Sequence, residues 1–171
     1  SKVTDEQGRP LVVYHGTDGQ FDTFNTKRRA GGAILSRTLG AYFSTSEKEA
    51  RRYGKTIMSL NLAIKNPIDF SSISENSKNG KELANGVLKD NGLKTSFSRP
   101  SIYSNGYFNY SGLESLDNEG LIIELKRKGF DGIVINESVG GDGSSKTFIV
   151  FSPSQIKSAT GNTGEFNPDN S

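Results

Sequence analysis

Apolar residues along this chain fall into short runs whose spacing is typical of strands. Leu11–Tyr14 is a β-branched and aromatic run that predicts a buried strand, with His15 at its end. Ala41–Ser44 predicts a second, brief strand. Between Thr56 and Ile64 apolar and polar positions largely alternate, which is the period of a half-buried strand, and Asn66-Pro67 is expected to stop it.

Three short helices are predicted between the strands. The first is expected to start at Ser46, whose hydroxyl can cap free backbone amides, and to close at Tyr53-Gly54. Lys81–Leu88 predicts a second helix. An apolar stripe that begins at Leu121 predicts a third helix, which Gly129 ends.

Two more strands and several loops complete the prediction. Gly132–Ile135 and Thr147–Phe151 are apolar runs of strand length, joined by the turn Gly140–Gly143. Asp18–Gly40 is polar and glycine-bearing, which favours a long surface loop, and Gly92–Ser111 has no clear period, so its structure stays open. The order of elements predicts a mixed α+β domain whose sheet has an antiparallel component.

The composition fits one loop-rich domain. A length of 171 residues allows one hydrophobic core, so residues 1–171 are expected to form a single domain, and 20 glycines against 5 prolines indicate many sharp turns. The polar start at Ser1-Lys2-Val3 and the loop-like end predict a domain excised from a longer protein. The 21 basic and 19 acidic residues nearly cancel, so overall charge gives no reason to expect nucleic-acid binding.

Several classes of site are made improbable by residues that the sequence lacks. It contains no cysteine, which excludes disulfides and thiolate metal sites, and its single histidine has no clustered ligands around it, so no metal is expected. No apolar stretch approaches the roughly 18 residues that a membrane helix needs, so no membrane partner is expected. The cellular location and the oligomeric state stay open.

The candidate chemistry begins at His15, the single histidine of the chain. A planar carboxamide such as nicotinamide needs one acceptor and one donor side by side, which the backbone of Gly16 can supply, and Thr17 adds a hydroxyl at the rim. Each residue taken alone has a plainer interpretation. His15 could be an ordinary half-buried histidine, and Tyr42 and Tyr53 could be ordinary core aromatics.

Three blocks of the sequence together resemble the diphtheria-toxin-like and PARP-like ADP-ribosyltransferases. They are Val13-Tyr14-His15-Gly16-Thr17, then Gly40-Ala41-Tyr42-Phe43-Ser44 followed by Tyr53, and Thr147-Phe148-Ile149-Val150-Phe151. Tyr42 and Tyr53 are 11 residues apart, as are the two tyrosines that flank the nicotinamide ring in that family. Stacking and cation-π attraction on a cationic ring contribute about 1 kcal/mol per face. The resemblance implies an α+β fold with a split β-sheet core, short helices and a long donor loop.

The resemblance also implies NAD as co-substrate. His15, Gly16, Thr17, Tyr42 and Tyr53 would then line the nicotinamide pocket, with His15 hydrogen-bonded to a ribose hydroxyl. The expected catalytic residues are His15, Tyr42 and Thr147.

The basic residues Arg28 and Arg29 lie where the family has its donor loop, so they are candidates to bind the pyrophosphate by charge-assisted hydrogen bonds. A solvated surface run is the alternative for these two residues, and Ser36 and Arg37 are weaker candidates of the same kind. Gln155 is either a polar contact to the site or a residue that satisfies the backbone at the strand end.

Thr147 departs from the family pattern, because poly-ADP-ribosylating and toxin members have glutamate at this position. That carboxylate binds the ribose next to nicotinamide and stabilises the oxocarbenium-like centre. Threonine can hydrogen-bond but supplies no negative charge. Four interpretations follow. The domain is a slow mono-ADP-ribosyltransferase, or it uses another acid such as Glu137 or Glu165. Otherwise it binds NAD or ADP-ribose without turnover, or Thr147 is a substitution that silences the enzyme.

The whole pattern, including Asn66-Pro67-Ile68-Asp69-Phe70 and Gly129-Phe130-Asp131-Gly132, is most similar to the ADP-ribosyltransferase domains of phage and mobile-element polyvalent proteins. The resemblance implies transfer of ADP-ribose from NAD to a macromolecular acceptor, expected to be a protein, with nucleic acid as the alternative. An effector or toxin role, with delivery into a target-cell cytoplasm, follows from kinship alone. A non-catalytic NAD- or ADP-ribose-binding module and an NAD glycohydrolase are the competing hypotheses.

Overall fold

The computed structural model describes residues 3–18, 41–73, 80–94, 118–136 and 145–159. Its strands are β1 (Val12–Thr17), β2 (Ala41–Ser44), β3 (Thr56–Leu62), β4 (Pro67–Asp69), β5 (Gly132–Asn136), β6 (Lys146–Val150) and β7 (Ile156–Ser158). Its helices are α1 (Glu47–Ala50), α2 (Gly80–Asp90) and α3 (Asn118–Arg127), with a 3₁₀ turn at Pro153–Gln155. These elements confirm a mixed α+β fold.

The described strands form one seven-stranded sheet in the order β4-β5-β6-β2-β1-β3-β7. Neighbouring strands are antiparallel except β4 and β5, which are parallel. The order places β1 and β2 near the centre of the sheet, with β6 beside β2. The three blocks that resemble the ADP-ribosyltransferases are therefore carried by three adjacent strands.

The sheet is buried on both faces. Side chains that alternate along β5 and β6 point to opposite sides, as the period of a strand requires. Ile133 and Ile149 pack with α2 and α3 on one face, through Leu88 and Leu125. The other face buries a second cluster, which includes Val13, Phe43, Leu60, Leu62, Val134, Phe148 and Val150.

The first strand was predicted too short, and the position of His15 was wrong as a result. β1 continues through Thr17 because β3 pairs with it along its whole length, from Val12 opposite Asn61 to Thr17 opposite Thr56. His15 therefore lies inside the strand, where both of its neighbours are held by the ladder.

The prediction for α1 is confirmed at its start and wrong at its end. Ser46 is the N-cap, and its hydroxyl accepts a hydrogen bond from the Glu49 amide at 3.3 Å. The helix ends at Ala50, so Tyr53 and Gly54 lie in the turn that follows.

The edge strands β4 and β7 are absent from the sequence prediction. Pro67 was interpreted as the end of a strand, but it is the first residue of β4, which is an edge strand where a missing N–H is tolerated. β7 has three residues and pairs with β3 on the other edge. Such short elements show no period in the sequence.

The remaining predicted elements are confirmed with shifted bounds. α2 and α3 extend beyond the predicted helices, and Gly129, at φ +88°, follows the end of α3 in the left-handed conformation that favours glycine. β5 and β6 correspond to the two predicted apolar strands. Residues 19–40, 95–111 and 140–143 lie outside the described residues, and the single domain over residues 1–171 stays a prediction.

Candidate functional site

β1 and β2 pair over a short length. Among the described residues, these strands pair at Tyr14 opposite Ser44, and from His15 to Thr17 the ladder with β2 stops while the ladder with β3 continues. Backbone groups of alternate residues in an antiparallel strand point to the same neighbour. The place between β1 and β2 where this ladder stops is called here the seam.

The His15 side chain bridges the seam. Its Nδ1 lies 2.8 Å from the backbone carbonyl oxygen of Tyr42 in β2, and its ring packs at 5.3 Å, centroid to centroid, against Phe43. A carbonyl only accepts, so Nδ1 donates and carries the ring proton. In the neutral ring, Nε2 is then the acceptor atom.

Burial lowers the pKa of His15 below its ordinary value of 6.5, and the hydrogen bond to the Tyr42 carbonyl opposes that shift without cancelling it. The ring is therefore neutral at neutral pH. A neutral histidine with its tautomer fixed from one side can accept a hydrogen bond from a ribose hydroxyl through Nε2.

Gly16 and Gly54 lie where backbone packs directly on backbone. A Cβ on Gly16 would lie 1.9 Å from the Ala50 carbonyl oxygen, and a Cβ on Gly54 would lie 2.1 Å from the Thr17 carbonyl carbon. From the sequence, the expected role of Gly16 is only to let a ligand approach the backbone closely. The structure adds a second reason, which is that α1 and the turn after it lie against β1 without room for a side chain.

Tyr53 is held beside the seam by this packing. Its amide donates to the Ala50 carbonyl at 3.0 Å, Gly54 packs against Thr17, and the Lys55 amide donates to Asp18 Oδ1 at 2.9 Å. The side chain remains 53% exposed. A fixed backbone with an exposed aromatic ring is suited to stacking on a ligand.

Tyr42 enters the site from β2 and is half-buried. Its ring packs against the core cluster beneath α2 and α3, while its carbonyl accepts the hydrogen bond from His15. Tyr42 and Tyr53 thus reach the site from two different elements, a strand and the turn after a helix. The structure places His15, Gly16 and Thr17 on β1, Tyr42 on the neighbouring β2 and Tyr53 in the turn after α1. The His15 ring packs against Phe43 on one face of the sheet, and the Tyr42 ring packs into the core cluster of the other face.

Thr147 is in β6, opposite Ser44 of β2 on one side and Ile135 of β5 on the other. It shares a face of the sheet with Ser44 and Tyr42 and is 1% exposed. A ligand reaches its hydroxyl only after neighbouring side chains move.

Four polar side chains are buried among the described residues, and they belong to β1, β2, α1 and β6. They are Thr17 at 9% exposure, Ser44 at 5%, Glu49 at 7% and Thr147 at 1%. Sequence reasoning found Thr17 and Thr147 but missed Ser44 and Glu49 as site residues. Glu49 was interpreted as an acid favoured by the first turn of a helix, and no local signal separates that role from burial.

Gln155 hydrogen-bonds the backbone at the end of a strand, which is the second of its two interpretations. Its Oε1 accepts hydrogen bonds from the amides of Phe151 and Ser152 at 3.0 and 2.9 Å, and its Nε2 donates to the Asp131 carbonyl at 2.6 Å. Asp131 in turn accepts from the Asn66 amide at 2.8 Å. Gln155 therefore ties strand ends together and satisfies the backbone.

Several predicted site residues lie outside the described residues. They are Arg28, Arg29, Ser36, Arg37, Glu137 and Glu165. Within the described ranges, no three His, Cys, Asp or Glu side chains come together as a metal site would require. No helix in that part of the chain is long and apolar enough to cross a membrane.

The comparisons with known proteins place this geometry in a family. A family model described as "ADP-ribosyltransferase in polyvalent proteins" matches residues 5–166, and the chain therefore belongs to that family. No curated protein matches the chain. A solved structure described as an anti-CRISPR protein is 13% identical, with a TM-score of 0.42 over 86% of this chain and 92% of the other.

Proposed function

We propose that this chain is a mono-ADP-ribosyltransferase that transfers ADP-ribose from NAD to a macromolecular acceptor and releases nicotinamide. The observation that supports the proposal is the hydrogen bond from the His15 side chain on β1 to the Tyr42 carbonyl on β2, in a chain of the ADP-ribosyltransferase family. The site residues assigned below are part of this proposal, as is the division of the sheet into two halves at the seam.

The nicotinamide binds at the seam. The free edge of β1 at Gly16 gives the carboxamide one donor and one acceptor, and the Tyr42 and Tyr53 rings stack on the cationic pyridinium. Nε2 of His15 accepts a hydrogen bond from a ribose hydroxyl, and the Thr17 hydroxyl lies at the rim. Arg28 and Arg29 are the proposed partners of the pyrophosphate.

The transfer breaks the bond between the ribose C1′ and the nicotinamide nitrogen. The electron pair of that bond returns to the pyridine ring and neutralises it, while a lone pair of the acceptor forms the new bond to C1′ from the opposite face. The acceptor loses its proton to solvent. A single displacement of this kind inverts the configuration at C1′. Thr147 contributes a neutral hydrogen bond to the ribose once the ligand has displaced its neighbours.

The burial of Thr147 and its lack of charge favour a second candidate, a module that binds NAD or ADP-ribose without turnover. Transition-state charge in glycosyl transfer is ordinarily stabilised by a carboxylate, and Thr147 is 1% exposed. Hydrolysis of NAD by water is a third outcome of the same pocket.

One experiment separates these functions. The chain is incubated with NAD labelled in the ADP-ribose moiety, with and without a lysate, and the products are digested with protease or nuclease. Label that protease releases from macromolecules supports protein modification, and nuclease-sensitive label supports nucleic acid. Free ADP-ribose without lysate indicates a glycohydrolase.

Binding without any product would overturn the transferase. If the Thr147→Glu variant then gained turnover, the chain would be a binding module that lacks only the acid. The heat-denatured chain is the control for signal that does not depend on the pocket.

A further inference from the structure

Glu49 is a buried acid that the mechanism above leaves without a role. It is 7% exposed, whereas its neighbours Glu47, Lys48 and Arg51 are all exposed. Burial of a charged side chain costs free energy unless an interaction compensates, so acids on a four-residue surface helix normally point outwards. The inward position of Glu49 needs a reason.

The position of Glu49 on α1 places it at the seam. It is next to Ala50, whose carbonyl oxygen packs against Gly16, and it lies in the short helix that leads into the turn of Tyr53. On the N-terminal side, Glu49 donates its amide to Ser46 Oγ, and the Ser46 amide donates to Ser44 Oγ. Ser44 is in turn the partner of Thr147 across β2 and β6.

We infer that the Glu49 carboxylate supplies, from α1, the negative charge that Thr147 cannot supply from β6, and that it faces the ribose and nicotinamide of bound NAD. This inference rests on the proposed function. The carboxylate forms no bond and takes no proton in the step; it stabilises the positive charge that develops on the ribose as the nicotinamide leaves.

Arg52 orients this carboxylate from the solvent side. Its Nη1 lies 3.3 Å from Glu49 Oε2, and its side chain is 49% exposed while that of Glu49 is 9% exposed. An ion pair with one half-exposed partner is screened by water on that partner's side. On the side of the seam, where less water is present, the electric field of the Glu49 carboxylate is screened less than on the side of Arg52.

The test compares three variants that remove one charge each from the same segment. Glu49→Gln removes the inward acid. Glu47→Gln is the matched control, because Glu47 is an exposed acid of the same helix that pairs with Arg51. Arg52→Gln removes the ion pair but leaves the Glu49 charge.

Two measurements are made on each variant. The first is the rate of nicotinamide release from NAD, for which loss of one electrostatic stabiliser of a transition state predicts a decrease of about 100-fold in Glu49→Gln. The second is the ratio of Kd for NADH to Kd for NAD. NADH has an uncharged ring, so the variant is expected to lose part of the preference for NAD while its affinity for NADH stays the same. Glu47→Gln and Arg52→Gln are expected to change either quantity by less than about 3-fold, as exposed charges do.

The outcomes separate this inference from the proposed function. Unchanged release and an unchanged Kd ratio in Glu49→Gln would overturn the inference and leave the transferase standing. An equal loss in Arg52→Gln would also overturn it, because the ion pair rather than the charge would then matter. NAD binding without nicotinamide release by the unaltered chain would overturn the transferase, while the Kd ratio would still decide whether Glu49 faces the nicotinamide.

A second variant covers the case in which Glu49→Gln does not fold, which a thermal melt detects. Glu49→Asp keeps the charge on a side chain one methylene shorter. It is expected to fold and to release nicotinamide at a rate below that of the unaltered chain but at least about 10-fold above the background measured with the heat-denatured chain. A rate at that background, with NADH binding intact, would overturn the inference.

Discussion

The turn that carries Tyr53 depends on a glycine that has no room for a side chain. A Cβ at position 54 would lie 2.1 Å from the carbonyl carbon of Thr17 and 2.5 Å from its Cα and its oxygen. All three are backbone atoms of a strand held by β3, so no rotamer change relieves the clash. We predict that Gly54→Ala is destabilising through overpacking, by about 1–3 kcal/mol.

The matched control is the same substitution in an open position. Gly86 is inside α2, and a Cβ there would meet nothing within 4 Å. Alanine has the higher helix propensity, so Gly86→Ala is expected to stabilise the chain by about 0.5–1 kcal/mol. The two variants add one methyl group each and are expected to shift stability in opposite directions.

Thermal and urea unfolding of the three chains measure the effect. For a chain of this size, 1 kcal/mol corresponds to roughly 2–4 °C, so Tm is expected to fall by about 2–12 °C in Gly54→Ala and to rise by about 1–4 °C in Gly86→Ala. The folded fraction of Gly54→Ala is also expected to bind NAD more weakly, because the turn moves away from β1 with Tyr53. A Gly54→Ala chain as stable as the unaltered one would refute the backbone packing on which this site is built.

Three further predictions concern the side chains of the site and its support. Because burial lowers the pKa of His15, the unfolded chain binds more protons than the native chain between that lowered pKa and 6.5. The contribution of His15 to the free energy of unfolding is therefore fully present above pH 6.5 and is lost as the pH falls through the lowered pKa. Urea titrations at pH 7.5 and 5.5 are expected to show that the free energy of unfolding decreases less in His15→Gln than in the unaltered chain. An equal decrease in both chains would contradict the buried neutral ring. Tyr53→Leu removes one stacking face and is expected to weaken NAD binding by about 5-fold, measured by calorimetry. Tm is expected to stay the same, because the side chain is 53% exposed. A large decrease in Tm would instead show that Tyr53 is a core residue. Gln155→Ala leaves the amides of Phe151 and Ser152 without their acceptor, so it is expected to lower the free energy of unfolding by about 1–3 kcal/mol in urea titrations. The Kd of the folded chain for NAD is expected to stay the same. Weaker binding by fully folded Gln155→Ala would instead indicate that Gln155 contacts the ligand.

The elements around the site could be predicted from local sequence because local chemistry determines them. Ser46 caps α1 through its own hydroxyl, and the alternation from Thr56 onward reflects a strand that is half-buried. The edge strands could not be predicted in this way. Pro67 is compatible both with the end of a strand and with the start of an edge strand, and only its pairing with Gly132 decides between them.

Site residues could be predicted where a local sequence motif identifies them. They could not be predicted where their role depends on a contact with a residue that is distant in the sequence. The 11-residue spacing of the tyrosines is readable because it matches the spacing in the family that the sequence resembles. The burial of Glu49 is not readable, since an acid in the first turn of a helix has the same sequence pattern when it points outwards. Gly54 and Thr17 are far apart in the sequence, so the glycine indicates a close approach of backbone without identifying the partner.

The seam gives a physical reason to regard this region as a binding site. His15 donates to the Tyr42 carbonyl there, so a side chain joins β1 to β2 beyond the point where their ladder stops. Thr17, Ser44 and Thr147 are buried polar residues of β1, β2 and β6, and burial of polar groups costs free energy unless they are hydrogen-bonded. Under the proposed function these groups serve a polar ligand, and the charge of Glu49 is the proposed difference between holding that ligand and cleaving it.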